Sequence, residues 1–202
     1  MRTDPLLTLD AVPGREGLMQ IHSTSIVHHP MARVYGAYRD ELPQMVPFIP
    51  DVREIVVRSR EEFPGGVKIL NVWVADRDPP KAVEGVIKRE WLQWEDYATW
   101  NDAGFFVDWR MVLPALPDRV RCSGRNSFFR DGLDRTRVVI SGDLQIDASS
   151  FGDVPASLAP RIGRVIEAFI VDLVTPNLTR MNQSLEEYLD DKLREAALKV
   201  QI

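Results

Sequence analysis

The chain has one cysteine, three histidines, no excess of basic charge and no long apolar run. A single thiol excludes an internal disulfide, which suits a reducing compartment, and the cytoplasm is the expected location. Cys122 falls on the alternating apolar positions of its strand and reads as a small buried hydrophobe, not a nucleophile. His28 and His29 are adjacent, so on a strand they point to opposite faces and do not chelate together, while His22 is expected to face outward. With no paired cysteines and no His-Glu helix motif, neither a metal nor a cofactor is expected. Lys and Arg number 25 against 30 Asp and Glu, a net charge of −5, which gives no electrostatic reason to expect nucleic acid as a partner. Arg119, Arg121 and Arg125 alternate along a strand and read as a solvated sheet face. No Gly-x-Ser-x-Gly elbow, phosphate-binding loop or dinucleotide fingerprint occurs. Residues 1–17 lack the basic-then-apolar pattern of a secretory leader, and no run approaches the roughly 20 apolar residues of a membrane span, so no membrane insertion is expected.

What remains is a soluble chain of 202 residues, 45% hydrophobic, able to bury a full core as one domain. Residues 1–17 carry prolines, glycines and charges without periodicity and are expected to be a flexible arm; the domain is expected over 18–195. Met19 to His28 has the alternation of a strand, with Ile21, Ser23, Ser25 and Val27 on one side. Pro30 suits a helix start, and Met31, Val34, Tyr35 and Tyr38 follow at helical spacing. Pro43, Pro47 and Pro50 cut the next stretch into a short helix or turn.

Residues 52–62 and 67–76 flank Pro64-Gly65-Gly66, which predicts a hairpin: proline fixes one central angle and glycine supplies the positive φ. Residues 81–91 fit either a short helix or an extended segment. Trp94–Trp100, Phe105–Leu113, Arg119–Arg130 and Arg135–Asp147 read as strands whose short, turn-rich connectors make neighbours antiparallel. A long helix follows, with Leu158, Ile162, Val165, Ile166, Phe169, Ile170, Leu173 and Val174 on one apolar face. Pro176 interrupts its ladder, yet the apolar phase continues through Leu178, Met181, Leu185 and Leu189, which predicts a kink instead of a stop.

The fold class is therefore α+β. Three stretches carry a resemblance to a known superfamily: SIVHHPMARVYGAYRDELPQMVPFIPDVREIVV, GRNSFFRDGLDRTRVVISGDLQID, and the terminal apolar helix with Pro176-Asn177. Together they resemble the START and polyketide-cyclase (SRPBCC) superfamily over most of Met19 to Leu193. The resemblance implies a helix-grip fold, in which a curved antiparallel sheet of about seven strands wraps a long C-terminal helix. It also implies an apolar small molecule, such as a lipid, sterol or polyketide, held between sheet and helix. Members include transfer proteins, cyclases, dehydratases and proteins that bind other proteins, so the chemistry stays open.

Alternation assigns faces to the strands. Phe105, Val107, Trp109, Met111 and Leu113 are expected to point inward. So are Val120, Cys122, Gly124, Asn126 and Phe128 on the next strand, and Val138, Ile140, Gly142, Leu144 and Ile146 on the last. Asn126, a buried amide, needs partners from the protein, from water or from a ligand, and the protein is the expected source. Asn71 shares a face with Val67, Ile69 and Trp73, but the opposite face of that strand is also apolar, so its direction is undecided. Trp73, Trp100 and Trp109 either line a pocket or pack a core. Gly124 and Gly142 mark a bend or a close approach of backbone or ligand. The candidate ligand-binding set is Asn71, Trp73, Trp100, Phe105, Val107, Trp109, Met111, Asn126, Phe128, Ile140, Ile166, Phe169, Ile170 and Leu173.

Asp108, Arg110 and Tyr97 form the one acid–base grouping suggested by proximity in sequence, and outward cross-strand ion pairing is the plainer reading. Only Asn126, Asn71, Ser23 and Ser25 are then left as polar groups in the cavity, which counts against acid–base catalysis. The leading expectation is binding, with transport as a corollary, of a lipid or other hydrophobic small molecule. A cyclase or dehydratase using the same cavity and a protein-interaction module are the alternatives.

Overall fold

The computed structural model describes residues 6–11, 18–78, 89–116, 118–147, 163–171 and 180–200. Among the described residues eight antiparallel strands form one sheet: β1 (Leu6–Ala11), β2 (Leu18–Val27), β3 (Val52–Phe63), β4 (Gly66–Ala75), β5 (Gln93–Asn101), β6 (Phe106–Val112), β7 (Val120–Arg130) and β8 (Thr136–Ile146). Their order is β1-β2-β8-β7-β6-β5-β4-β3. The short turns foreseen from sequence make β3 to β8 a meander, and the one long connection places β2 beside β8. Seven of these strands are the expected ones. The eighth, β1, is a correction: part of the supposed loose arm pairs with β2 in register from Leu6↔Thr24 to Ala11↔Met19.

The β3–β4 turn follows its residue chemistry. Phe63 pairs with Gly66, Gly65 has φ +90°, and Pro64 precedes it. Gly66 is required for a second reason, because a Cβ there would lie 2.0 Å from the Trp100 carbonyl oxygen on β5. β3 is an edge strand whose exposed positions include Arg53, Glu54, Arg58, Arg60, Glu61 and Glu62, a charge density that discourages pairing with another chain.

Helix α1 (Met31–Asp40) starts after Pro30, whose carbonyl accepts from the Arg33 and Val34 amides. It buries Val34, Tyr35 and Ala37 against the sheet. The proline-rich stretch after it is a 3-10 turn over Leu42–Phe48. Residues 163–171 are helical (α2) and bury Ile166, Phe169 and Ile170. The last helix, α3 (Met181–Val200), buries Met181, Leu185, Tyr188 and Leu189 against β2, α1 and the 3-10 turn. Pro176 and Leu173 lie outside the described residues, as does most of 81–91; of the latter stretch, Arg89–Leu92 opens β5 as a 3-10 turn.

Polar contacts fix where α3 docks. The Tyr188 hydroxyl donates to Glu41 Oε2 at 2.6 Å, and Asn182 Nδ2 donates to Ser25 Oγ at 2.6 Å. His29 Nε2 lies 2.9 Å from Asp190 Oδ1, and His28 Nδ1 lies 2.9 Å from Glu186 Oε1. Both histidines thus meet carboxylates of α3, which accounts for His29 being buried.

Candidate functional site

The alternation in β6, β7 and β8 sorts side chains as expected. Val107, Trp109, Met111 and Leu113 are buried, as are Val120, Cys122, Asn126, Phe128, Val138, Ile140, Leu144 and Ile146. On β4 the undecided face resolves inward for Val67, Ile69, Asn71 and Trp73. Burial pushes the Cys122 thiol up to about 12, so it is inert, as expected of a thiol in an apolar wall.

These faces do not close into solid packing. A cavity remains between β4–β7, α1, the 3-10 turn and the start of α3. The cavity volume is about 60 Å³. One water needs roughly 10–15 Å³, so there is room for a small guest. Seven expected residues line it: Asn71, Trp73, Trp100, Val107, Trp109, Met111 and Asn126. Phe105, Phe128, Ile140, Ile166, Phe169 and Ile170 do not; they belong to the core around it. Phe105 and Phe128 instead meet the Tyr35 ring edge-on, with centroids 5.2 and 5.4 Å away.

Six lining residues escaped the sequence reading: Tyr38, Leu42, Trp94, Asp96, Ala98 and Met181. Asp96 matters most. On β5 it occupies the alternation Trp94, Asp96, Ala98, Trp100, with Asn71 opposite on β4 and Met111 opposite on β6. That pattern was readable from sequence, but a charged residue is by default placed outward. The expectation that no ionisable group enters the cavity is therefore corrected.

The polar groups form two sets. On one side the Trp109 indole N–H donates to Asn126 Oδ1 at 2.8 Å, and Asn126 Nδ2 donates to the Tyr38 hydroxyl at 3.4 Å. The protein thus supplies the partners of Asn126. On the other, Asn71 Nδ2 donates to Asp96 Oδ2 at a long 3.3 Å. Burial pushes the Asp96 carboxyl up to about 6, opposed in part by Asn71 and by the nearby Trp73 indole. The Trp73 N–H nevertheless completes no hydrogen bond of good geometry and is a buried donor without an acceptor. Trp73 and Trp94, paired across β4 and β5, stack with centroids 5.6 Å apart. Burial also pushes the Tyr38 hydroxyl far up.

The grouping of Asp108, Arg110 and Tyr97 lies on the other face of the sheet. Asp108 pairs with Arg125 across β6 and β7 through contacts of 2.6 and 2.8 Å, and Arg110 covers the Tyr97 ring. Gly124 and Gly142 oppose each other on β7 and β8. A Cβ at Gly124 would lie 2.3 Å from the Ser141 carbonyl oxygen and 2.6 Å from the Trp109 ring. Close backbone approach, with Trp109 laid over it, accounts for these glycines.

The architecture now permits a comparison. Several solved structures match it along nearly their whole length. The fold they share with this chain is the helix-grip α+β fold, a curved antiparallel sheet with a C-terminal helix. An aromatase/cyclase from Streptomyces sp. R1128 superposes with a TM-score of 0.60 at 17% identity, covering 89% of this chain and 98% of that one. TTHA0849 from Thermus thermophilus gives 0.52 at 21% identity, covering 83% and 94%. Norcoclaurine synthase from Thalictrum flavum gives 0.52 at 13% identity, covering 91% and 96%. No protein-family model and no curated protein sequence matches the chain. Among the described residues no helix is long and apolar enough to cross a membrane.

Proposed function

We propose that this helix-grip protein binds a small hydrophobic molecule in the cavity between its sheet and its C-terminal helix. The observation that carries the reading is the lining: four tryptophans, Val107, Ala98, Leu42 and two methionines, with polar groups confined to two sites. Such a concave apolar surface with a few placed polar groups is the usual form of a small-molecule site. Burial of ligand surface is the driving force, at about 25 cal/mol per Å² of apolar area. Asn126 is already bonded to Trp109 and Tyr38, so its spare acceptor and donor capacity orients a guest only at the cavity wall. Transport of a lipid and residence in the cytoplasm are the finer parts of this proposal.

A protein-interaction module has no need of such a void. An enzyme of cyclase or dehydratase type is the second reading, favoured by one observation: Asp96 and Tyr38 place ionisable groups against the guest's position. Turnover abolished in Asp96→Asn with binding intact would select it.

The test is a titration of intrinsic tryptophan fluorescence with small apolar compounds such as indole. Saturable change is expected, and Ala98→Leu, which puts a larger side chain into the void beside Trp109, is expected to abolish it. A titration that shows no saturation, or that Ala98→Leu leaves untouched, overturns the reading.

A further inference from the structure

Asp96 presents a problem that the apolar reading leaves unsolved. A carboxylate inside an apolar cavity is costly unless a cation or several donors compensate it. Among the described residues its support is one long bond from Asn71 and the nearby Trp73 indole, whose N–H is not well aimed at it. Among the described residues, the lining contains no Lys, Arg or His. Trp73, Trp94, Trp100, Trp109 and Tyr38 line the same cavity as the carboxylate, and aromatic faces attract a cation by their quadrupole. Beside it the buried Trp73 N–H lacks an acceptor. Among the described residues the cavity therefore supplies an anion, aromatic walls and an indole N–H that reaches no acceptor in good geometry, with no cation to complement them.

We infer that the guest is a small organic cation, a quaternary or protonated amine with an oxygen acceptor near its nitrogen. Asp96 is the counter-ion, the tryptophan faces enclose the cationic end, and the Trp73 N–H donates to the oxygen. The inference rests on the cavity being a ligand site, and narrows its ligand class. Among the described residues, the titratable groups facing Asp96 are Tyr38 from α1 and Cys122 from β7, and burial holds both neutral well above neutral pH. A change in cation affinity between pH 5 and 8 that Asp96→Asn removes thus reports Asp96.

The experiment compares choline with 3,3-dimethylbutan-1-ol, which keeps the hydroxyl and shape but replaces the charged nitrogen by carbon. Binding of each to the full chain is measured by calorimetry and tryptophan fluorescence at pH 5 and pH 8. Choline is expected to bind at least tenfold more tightly at pH 8. Its preference is expected to fall about tenfold at pH 5, where a carboxyl titrating near 6 is mostly neutral. In Asp96→Asn the preference is expected to vanish while the alcohol still binds, an outcome that loss of fold would not give. Equal affinities in the wild type, or a preference that survives Asp96→Asn, overturn the inference and leave the apolar reading standing. Failure of both compounds, with indole still saturating, overturns the oxygen-bearing cation. Failure of all three sinks the cavity reading as well.

Discussion

Asn71 and Asp96 oppose each other directly across β4 and β5, the amide donating to the carboxylate at 3.3 Å inside a wall of indoles. The pairing sets an acid in an apolar cavity with one weak donor, and this has a thermodynamic signature. The folded-state value, about 6, lies above the ordinary 3.8. The folded state therefore binds this proton more tightly than the unfolded chain. Its contribution to stability is fully present below about pH 4 and is lost as pH rises through 6. Burial raises the Asp40 carboxyl, but its bonds to Arg39 and Arg60 outweigh that and hold it low, and Arg33 holds Glu41 low. Both act in the opposite sense to Asp96, and only below their ordinary values. Between pH 5 and 8 the wild type is expected to lose stability relative to Asp96→Asn, by about 1 kcal/mol after allowance for partial exposure. Urea unfolding of both proteins across that range measures it; parallel curves would contradict the placement of Asp96.

The Asn126 amide gives a second prediction. Replacing Asn126 by Leu leaves the Trp109 indole N–H, now bonded at 2.8 Å, without an acceptor in a buried wall. A destabilisation of about 1–3 kcal/mol is expected. Chemical denaturation tests it, and a neutral substitution would show that water or backbone takes over the acceptor role.

Gly124 is expected to tolerate no side chain. With its Cβ direction blocked by the Ser141 carbonyl at 2.3 Å and by the Trp109 ring at 2.6 Å, Gly124→Ala must displace backbone. A cost of roughly 1–3 kcal/mol in thermal or urea unfolding is expected. An alanine variant of unchanged stability would refute the close approach of β7 and β8 at this pair.

Tyr188 anchors α3 to the segment after α1 through its hydroxyl on Glu41. Tyr188→Phe keeps the ring contact with Phe48 and removes that bond, so a loss of about 1–2 kcal/mol is expected. Hydrogen exchange should accelerate along Met181–Val200 more than along β6–β8. Uniform acceleration would argue against a docking role.

Much of this architecture was legible because one face of each central strand is apolar. In β6 the set Val107, Trp109, Met111 stands against Asp108 and Arg110, and a period of two leaves one solution. β4 was ambiguous for a physical reason: Val72, on the outer side of the alternation, is itself buried. β1 was missed because prolines and glycines flank its six residues, Leu6–Ala11, and edge pairing with β2 is a tertiary fact. Half of the candidate ligand set lines the void and the rest packs around it or, for Leu173, falls outside the described residues, since alternation reports burial and not which buried side chains border empty space. Asp96 escaped because its charge outweighed a pattern that placed it between two tryptophans.

Met111 on β6 and Met181 at the start of α3 both line the cavity, whereas Met19, Met31 and Met45 do not. Methyl-labelled methionine NMR during titration with indole therefore tests guest binding at this place most directly. Saturable shifts confined to Met111 and Met181 are the predicted result. Signals that stay fixed, or that move equally at Met19 and Met31, would contradict a ligand site between sheet and helix.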